Sequence, residues 1–317
     1  MKTVILGKTG IEVTELCFGA LPMGPLQKNL SVEEGGECIA HALRLGVTMV
    51  DTAQIYGTYP MVKYALDKTG KRPVISTKST ASTYEDMESA VHEALEKMGL
   101  NKIDVMLLHA ARVDDNLFDL RKGAWSALKD CKEKGLIKAI GIATHSVRAV
   151  RKAADMDDVD VVFPLINKIG RGILHGSHAE MEEAIESCFQ KNKGVYFMKV
   201  FAGGYLLNDY DEALNYCKNL SKGRASLVMG MVAKAEVEMN ISYITGKNVE
   251  EEIKALKETS EKYFIIVKGL CSACGKCIET CHSAAITMGE KAVLDKDKCV
   301  TCGYCVSACP EFAIRMV

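Results

Sequence analysis

The chain has 317 residues, 48% of them hydrophobic, with 40 Lys and Arg against 41 Asp and Glu for a net charge of -1. That length holds one large domain and a small one around a sizeable core, and the balanced charge excludes the basic footprint of a nucleic-acid binder. No secretory h-region and no apolar run of about eighteen residues is present, so the expectation is a cytoplasmic protein without a membrane partner.

Residues 1–18 alternate short β-rich runs around Gly7-Lys8-Thr9-Gly10, which predicts an N-terminal β-hairpin. Beyond it, apolar runs at 15–18, 47–50, 74–77, 103–108, 139–142, 159–163, 195–198 and 227–229 alternate with helix-period stretches such as 34–45, 84–98, 123–134 and 177–191. Several of these stretches end at a glycine: Gly46, Gly99, Gly135 and Gly194. Eight β-α units in about 240 residues have the size of a closed parallel barrel. An open doubly wound sheet is the alternative, but no G-x-G-x-x-G follows the first strand. The charged stretch 245–262 reads as a linker helix. The layout expected is therefore a barrel over 1–244, a helical linker over 245–267 and a small domain over 268–317.

Eight of the thirteen cysteines fall in that last domain. Cys271, Cys274, Cys277 and Cys281 read C-x2-C-x2-C-x3-C, and Cys299, Cys302, Cys305 and Cys309 repeat it before Pro310. Thiolates at x2 spacing close around three corners of a 4Fe-4S cube, while the fourth cysteine of each run serves the other cluster. This assigns Cys271, Cys274, Cys277 and Cys309 to one cluster and Cys299, Cys302, Cys305 and Cys281 to the other. Structural zinc sites and a disulfide framework are the competing readings; zinc sites seldom use a third cysteine at the next x2 step. The segment resembles the bacterial two-cluster ferredoxins, including Ala284-Ala285-Ile286 echoed by Ala313-Ile314, and departs from them at His282, where proline is usual. That implies a ferredoxin-like α+β domain with two 4Fe-4S clusters. The scattered Cys17, Cys38, Cys131, Cys188 and Cys217 fit reduced thiols, and an anaerobic source is expected.

In a barrel, chemistry sits where strands end at their carboxyl side. Asp51 follows one run, Tyr56 lies in the loop after it, Lys78 ends the next and His109 the one after. Singly these read as a cap, a packing aromatic, a rim lysine and a core histidine. Together they resemble the tetrad of the aldo-keto reductases, and the resemblance extends from Leu6 to Ile241 through Leu107-Leu108-His109, Ile140-Gly141-Ile142 and residues 201–206. It implies a TIM barrel of (β/α)8 type in which Tyr56 is general acid to a carbonyl oxygen. In that family pattern Lys78 and Asp51 lower its pKa and His109 orients the substrate. An adjacent ammonium favours a phenolate, which agrees with those roles.

The family's nicotinamide contacts fall here on Ala143-Thr144, Phe163 and the neighbourhood of Met198, and its phosphate loop on Gly230, Met231 and Glu236. A carboxylate repels a 2'-phosphate, which disfavours NADP(H) and leaves NAD(H) or no nicotinamide as the options, with Asn240 at the adenine-contacting position. His145 is a pocket candidate, Lys199 an anion-reaching candidate, and His175 and His178 are read as surface residues. Met229, Met231 and Met239 are expected to fill core and pocket. Two function classes follow. One is an oxidoreductase reducing a small carbonyl-bearing substrate, with the clusters exchanging electrons with a redox partner such as a ferredoxin or flavoprotein. The other is an electron-transfer subunit whose non-catalytic barrel docks a partner oxidoreductase.

Overall fold

Gly7 opens the N-terminal turn at φ +52, and a Cβ there would lie 2.3 Å from the Asn192 carbonyl oxygen, so only glycine lets the turn seat against that loop. The strands it joins, β1 (Thr3–Ile5) and β2 (Glu12–Thr14), pair antiparallel with Val4 opposite Val13. The computed structural model describes residues 1–25, 27–204, 206–207, 209–247, 263–281, 284–299 and 304–316. Cys302, His282 and 248–262, most of the expected linker, lie outside the described residues.

Eight parallel strands close a barrel: β3 (Leu16–Gly19), β4 (Met49–Asp51), β5 (Val74–Ser79), β6 (Ile103–His109), β7 (Ile137–Thr144), β8 (Val161–Pro164), β9 (Gly194–Phe197) and β10 (Ala225–Gly230). β10 pairs with β3 to complete the ring. The hairpin's Val4, Leu6, Ile11 and Val13 pack with inward-facing Cys17, Met49, Leu107, Val161, Phe163 and Tyr196, which plugs the end of the barrel opposite the strand C-termini. A larger apolar layer lies between strands and outer helices. Helix Val32–Arg44 shows how these helices are specified: the Glu34 amide donates to Ser31 Oγ while the Ser31 amide donates to the Glu34 carboxylate.

The barrel and hairpin match expectation; individual limits differ where polar residues continue a strand. β4 takes in Asp51, and β5 runs through Lys78 to Ser79, because the two side chains neutralise each other inside the barrel. Hydrophobic patterning ends a strand at the first charge; an internal ion pair does not.

The C-terminal domain is built from β11 (Phe264–Ile266), β12 (Ile286–Met288), β13 (Ala292–Leu294) and β14 (Ile314–Met316), with β11 antiparallel to β14 and β12 to β13. Phe264–Ile266 falls within the expected helical linker and is strand instead, because Ile266 stands opposite Ile314 and Phe264 joins the small domain's core. The domain is tied back to the barrel by Arg112, which donates to the Glu311 carboxylate and the Pro310 carbonyl.

Candidate active site and cluster cradle

Adjacent strands β4, β5 and β6 deliver Asp51, Lys78 and His109 to one end of the barrel, and the turn Gln54–Tyr56 after β4 brings Tyr56 to them. Lys78 Nζ donates to both Asp51 carboxylate oxygens at 2.9 and 2.7 Å and to the Thr52 carbonyl at 2.8 Å. Its ammonium also lies 4.9 Å from the Tyr56 ring centroid and 5.1 Å from that of Phe163. Tyr56 meets the His109 ring edge-on at 5.8 Å. Burial works against the charge on Lys78, but Asp51 and Tyr56 outweigh it and hold its pKa above the ordinary lysine value. Burial pushes the Asp51 carboxyl up, and the ammonium at 2.7 Å opposes that, keeping the pair ionic.

Tyr56 departs from expectation. Lys78 does favour its phenolate, yet burial is the larger influence and the pKa is raised, not lowered. The hydroxyl therefore stays protonated, as a proton donor must before it acts. His109 is pushed down to about 3 by burial first and then by Lys78, Arg121 and Lys199, so its imidazole is neutral. Its Nδ1 is buried without a hydrogen-bond partner among the described residues.

The residues that sequence patterning missed come from the other domain. Phe312 follows Cys309 by three positions, adopts a left-handed φ of 47, and meets the His145 ring edge-on at 5.8 Å. Lys199 Nζ sits 5.2 Å and the Arg112 guanidinium 5.7 Å from the Phe312 ring centroid. Arg315, on β14, lies near enough for its charge to favour the Tyr56 phenolate; burial brings its own pKa down to about 10. The segment that carries Cys309 thus forms one wall of the barrel mouth. Only the left-handed backbone of a bulky Phe312 could have hinted at this, and that is not visible in sequence.

The positions expected to hold a nicotinamide are otherwise engaged. Phe163 is stacked on Tyr196 at 4.0 Å. The Glu236 carboxylate accepts from the Val232 amide at 2.7 Å, filling with its own charge the loop that would have to receive a phosphate. Asn240 is buried and accepts from the Tyr210 hydroxyl, in an aromatic group with Phe201 and Tyr243. These residues do not fit a nicotinamide dinucleotide. His178 bonds Tyr216 at 2.7 Å and His175 lies 3.3 Å from Asp114, so the two histidines do not converge. Met229 and Met231 are buried in the core and Met239 packs against it.

In the small domain Cys271, Cys274, Cys277 and Cys309 line one cavity, walled by Ile266, Met288 and Ile314. Among the described residues no three His, Cys, Asp or Glu side chains converge closely enough for a single metal ion. Four thiols lining one cavity, three of them at x2 spacing, suit a cube of iron and sulfide better than one zinc. The amides of Ala273 and Ala313 donate to the sulfurs of Cys271 and Cys309 at 3.4 and 3.3 Å, favouring thiolates. The Ala285 amide donates in the same way to Cys281 at 3.3 Å, and Ala284 repeats the left-handed turn of Phe312. Cys281, Cys299 and Cys305 pack in the same core.

The aldo/keto reductase family model matches residues 15–235. The chain belongs to the aldo/keto reductase family. A second model, a 4Fe-4S dicluster domain, matches residues 270–313, so an aldo/keto reductase barrel is fused to an iron-sulfur domain. Relatives include a D-threo-aldose 1-dehydrogenase from Pseudomonas sp, 26% identical over 62% of this chain and 68% of its own. An NADPH-dependent alpha-keto amide reductase from Saccharomyces cerevisiae is 31% identical over 42% of this chain and 44% of its own. The matched stretch thus covers from under half to about two thirds of these relatives' length. The crystal structure of a Bombyx mori aldo-keto reductase in complex with NADP has the same fold: 81% of this chain and 92% of that one superpose with a TM-score of 0.59 at 16% identity. No helix among the described residues is long and apolar enough to cross a membrane.

Proposed function

We propose that this aldo/keto reductase is an oxidoreductase that reduces a small carbonyl-bearing molecule at the barrel mouth, drawing electrons from a redox partner such as a ferredoxin or flavoprotein through two 4Fe-4S clusters. The ligand sets are Cys271, Cys274, Cys277 and Cys309 for one and Cys299, Cys302, Cys305 and Cys281 for the other. We take the barrel as 1–244 and the cluster domain as 268–317 extended to include β11. The observation that carries the reading is the contact of the Cys309-bearing segment with the tetrad's end of the barrel, through Phe312 on His145 and Arg315 beside Tyr56.

Converting C=O to CH–OH consumes two electrons and two protons. When bound, the clusters supply single-electron transfer between the partner and the domain that holds them. Tyr56 gives its phenolic proton to the carbonyl oxygen as negative charge develops there, and the second proton comes from solvent. Lys78, fixed by Asp51 and Thr52, stabilises the phenolate that remains. Neutral His109 presents a ring nitrogen to the oxygen without competing for the proton. Arg315 and Phe312 wall the site from water, and only 8% of Tyr56 is exposed.

Tyr56→Phe tests this in the anaerobic holoprotein with reduced viologen as donor. Turnover should fall about 10²–10⁴-fold with iron content unchanged. Unchanged turnover would instead favour a barrel that only docks a partner.

A further inference from the structure

Cationic side chains gather at the barrel mouth around the Phe312 ring. Lys199, just after β9, has its own backbone at φ 60 and its ammonium over Phe312. Arg112 approaches the same ring, and Arg315 enters from β14, its guanidinium 3.9 Å from where a Cβ on Gly203 would lie. Arg171 adds a fourth charge close enough to be felt by Lys199. Arg112 is matched by Glu311, but among the described residues no carboxylate forms an ion pair with Lys199 or Arg315.

A second observation points to a ligand. His145 is only 5% exposed, stands edge-on to Phe312 in the middle of this group, and its Nδ1 has no hydrogen-bond partner among the described residues. Burial first, then the neighbouring charges of Arg315, Arg112 and Arg171, holds the Lys199 pKa well below the ordinary lysine value. Like charges brought together in a partly buried place are unfavourable until an anion joins them. Nothing in the tetrad's work on a neutral carbonyl requires them.

We propose that Lys199, Arg315 and His145 form a recognition site for an oxyanion, the carboxylate or phosphate group of a small substrate whose carbonyl lies toward Tyr56. This rests on the reading of Tyr56 as the catalytic acid. It makes the substrate an acidic carbonyl compound in place of a neutral aldehyde or ketone. It also makes the iron-sulfur domain a contributor to substrate choice, because Arg315 belongs to that domain and Lys199 to the barrel.

Calorimetric titration of the anaerobic holoprotein with 2-oxobutanoate, butanone, inorganic phosphate and NADH tests it. The expected result is binding of 2-oxobutanoate, of phosphate, or of both, with butanone at least about 100-fold weaker, the scale of a charge-assisted pair lost from a buried site. Which of the two binds identifies the oxyanion's source. Lys199→Met and Arg315→Gln should each weaken that binding about tenfold or more, and iron counting shows whether Arg315→Gln keeps its clusters. Equal binding of 2-oxobutanoate and butanone, or no binding of either oxyanion, overturns the proposal, as does unchanged binding in Lys199→Met. NADH binding that is lost in both variants while neither small oxyanion binds also overturns it, assigning the cations to a dinucleotide. The two readings fail separately. If Tyr56→Phe abolishes turnover but Lys199→Met changes no binding, the oxyanion site falls alone. If Lys199→Met abolishes oxyanion binding but Tyr56→Phe turns over normally, the catalytic reading falls alone.

Discussion

Lys78→Met isolates the buried ion pair on which the mouth of the barrel is built. Methionine keeps the stem and removes the ammonium, deleting two contacts to Asp51 at 2.7 and 2.9 Å and one to the Thr52 carbonyl at 2.8 Å. Asp51, 4% exposed, is left a buried carboxylate without its counter-charge. Breaking such a pair from one side destabilises by about 3–5 kcal/mol, whereas removing both charges restores part of that. Asp51→Asn combined with Lys78→Met should therefore be more stable than Lys78→Met alone, by about 1–3 kcal/mol. The pH sign follows from burial, which already pushes the Asp51 carboxyl up. Without Lys78 it rises further above its unfolded value, so the deficit is full at neutral pH and shrinks as pH falls through the raised pKa and the carboxyl takes up a proton. Urea midpoints of the anaerobic protein, followed by fluorescence of Trp125 in helix Lys122–Glu133, give both quantities. A single variant less than about 1 kcal/mol below wild type, or a double variant no better than the single, would refute the coupling.

Gly141→Ala should destabilise the barrel by about 3 kcal/mol or more, because the new Cβ would lie 1.7 Å from the Val161 carbonyl oxygen in the β7–β8 ladder; a wild-type urea midpoint would contradict this. His109 and His145 are both held neutral by burial, with pKa values below the ordinary histidine range. Unfolding therefore takes up protons as pH falls below about 6.5, and stability should drop by about 1.4 kcal/mol per histidine at pH 5.5; His109→Asn should flatten that slope, whatever it does to the absolute midpoint. Cys309→Ala and Cys274→Ala should remove the same cluster signal in electron paramagnetic resonance, and Cys281→Ala the other; pairing of Cys309 with Cys299 and Cys305 would invert the ligand assignment.

Much was legible in the chain because its signals are local or periodic. Eight apolar runs separated by amphipathic stretches mark the barrel, and x2 cysteine spacing marks the cluster runs, since both depend on how few residues separate like groups. Asp51, Tyr56, Lys78 and His109 could be named from strand ends, and the fold does bring them together. What sequence could not weigh is burial: the ammonium beside Tyr56 suggested a lowered pKa, and desolvation reverses the sign. Nor did periodicity show that Phe264–Ile266 leaves the linker to pair with the last strand, or that Asn240 turns inward to Tyr210. The meeting of Phe312 and Arg315 with Lys199 and His145 spans more than a hundred residues of chain. Such a contact is set by how surfaces distant in the chain pack together, and only the tertiary structure decides it.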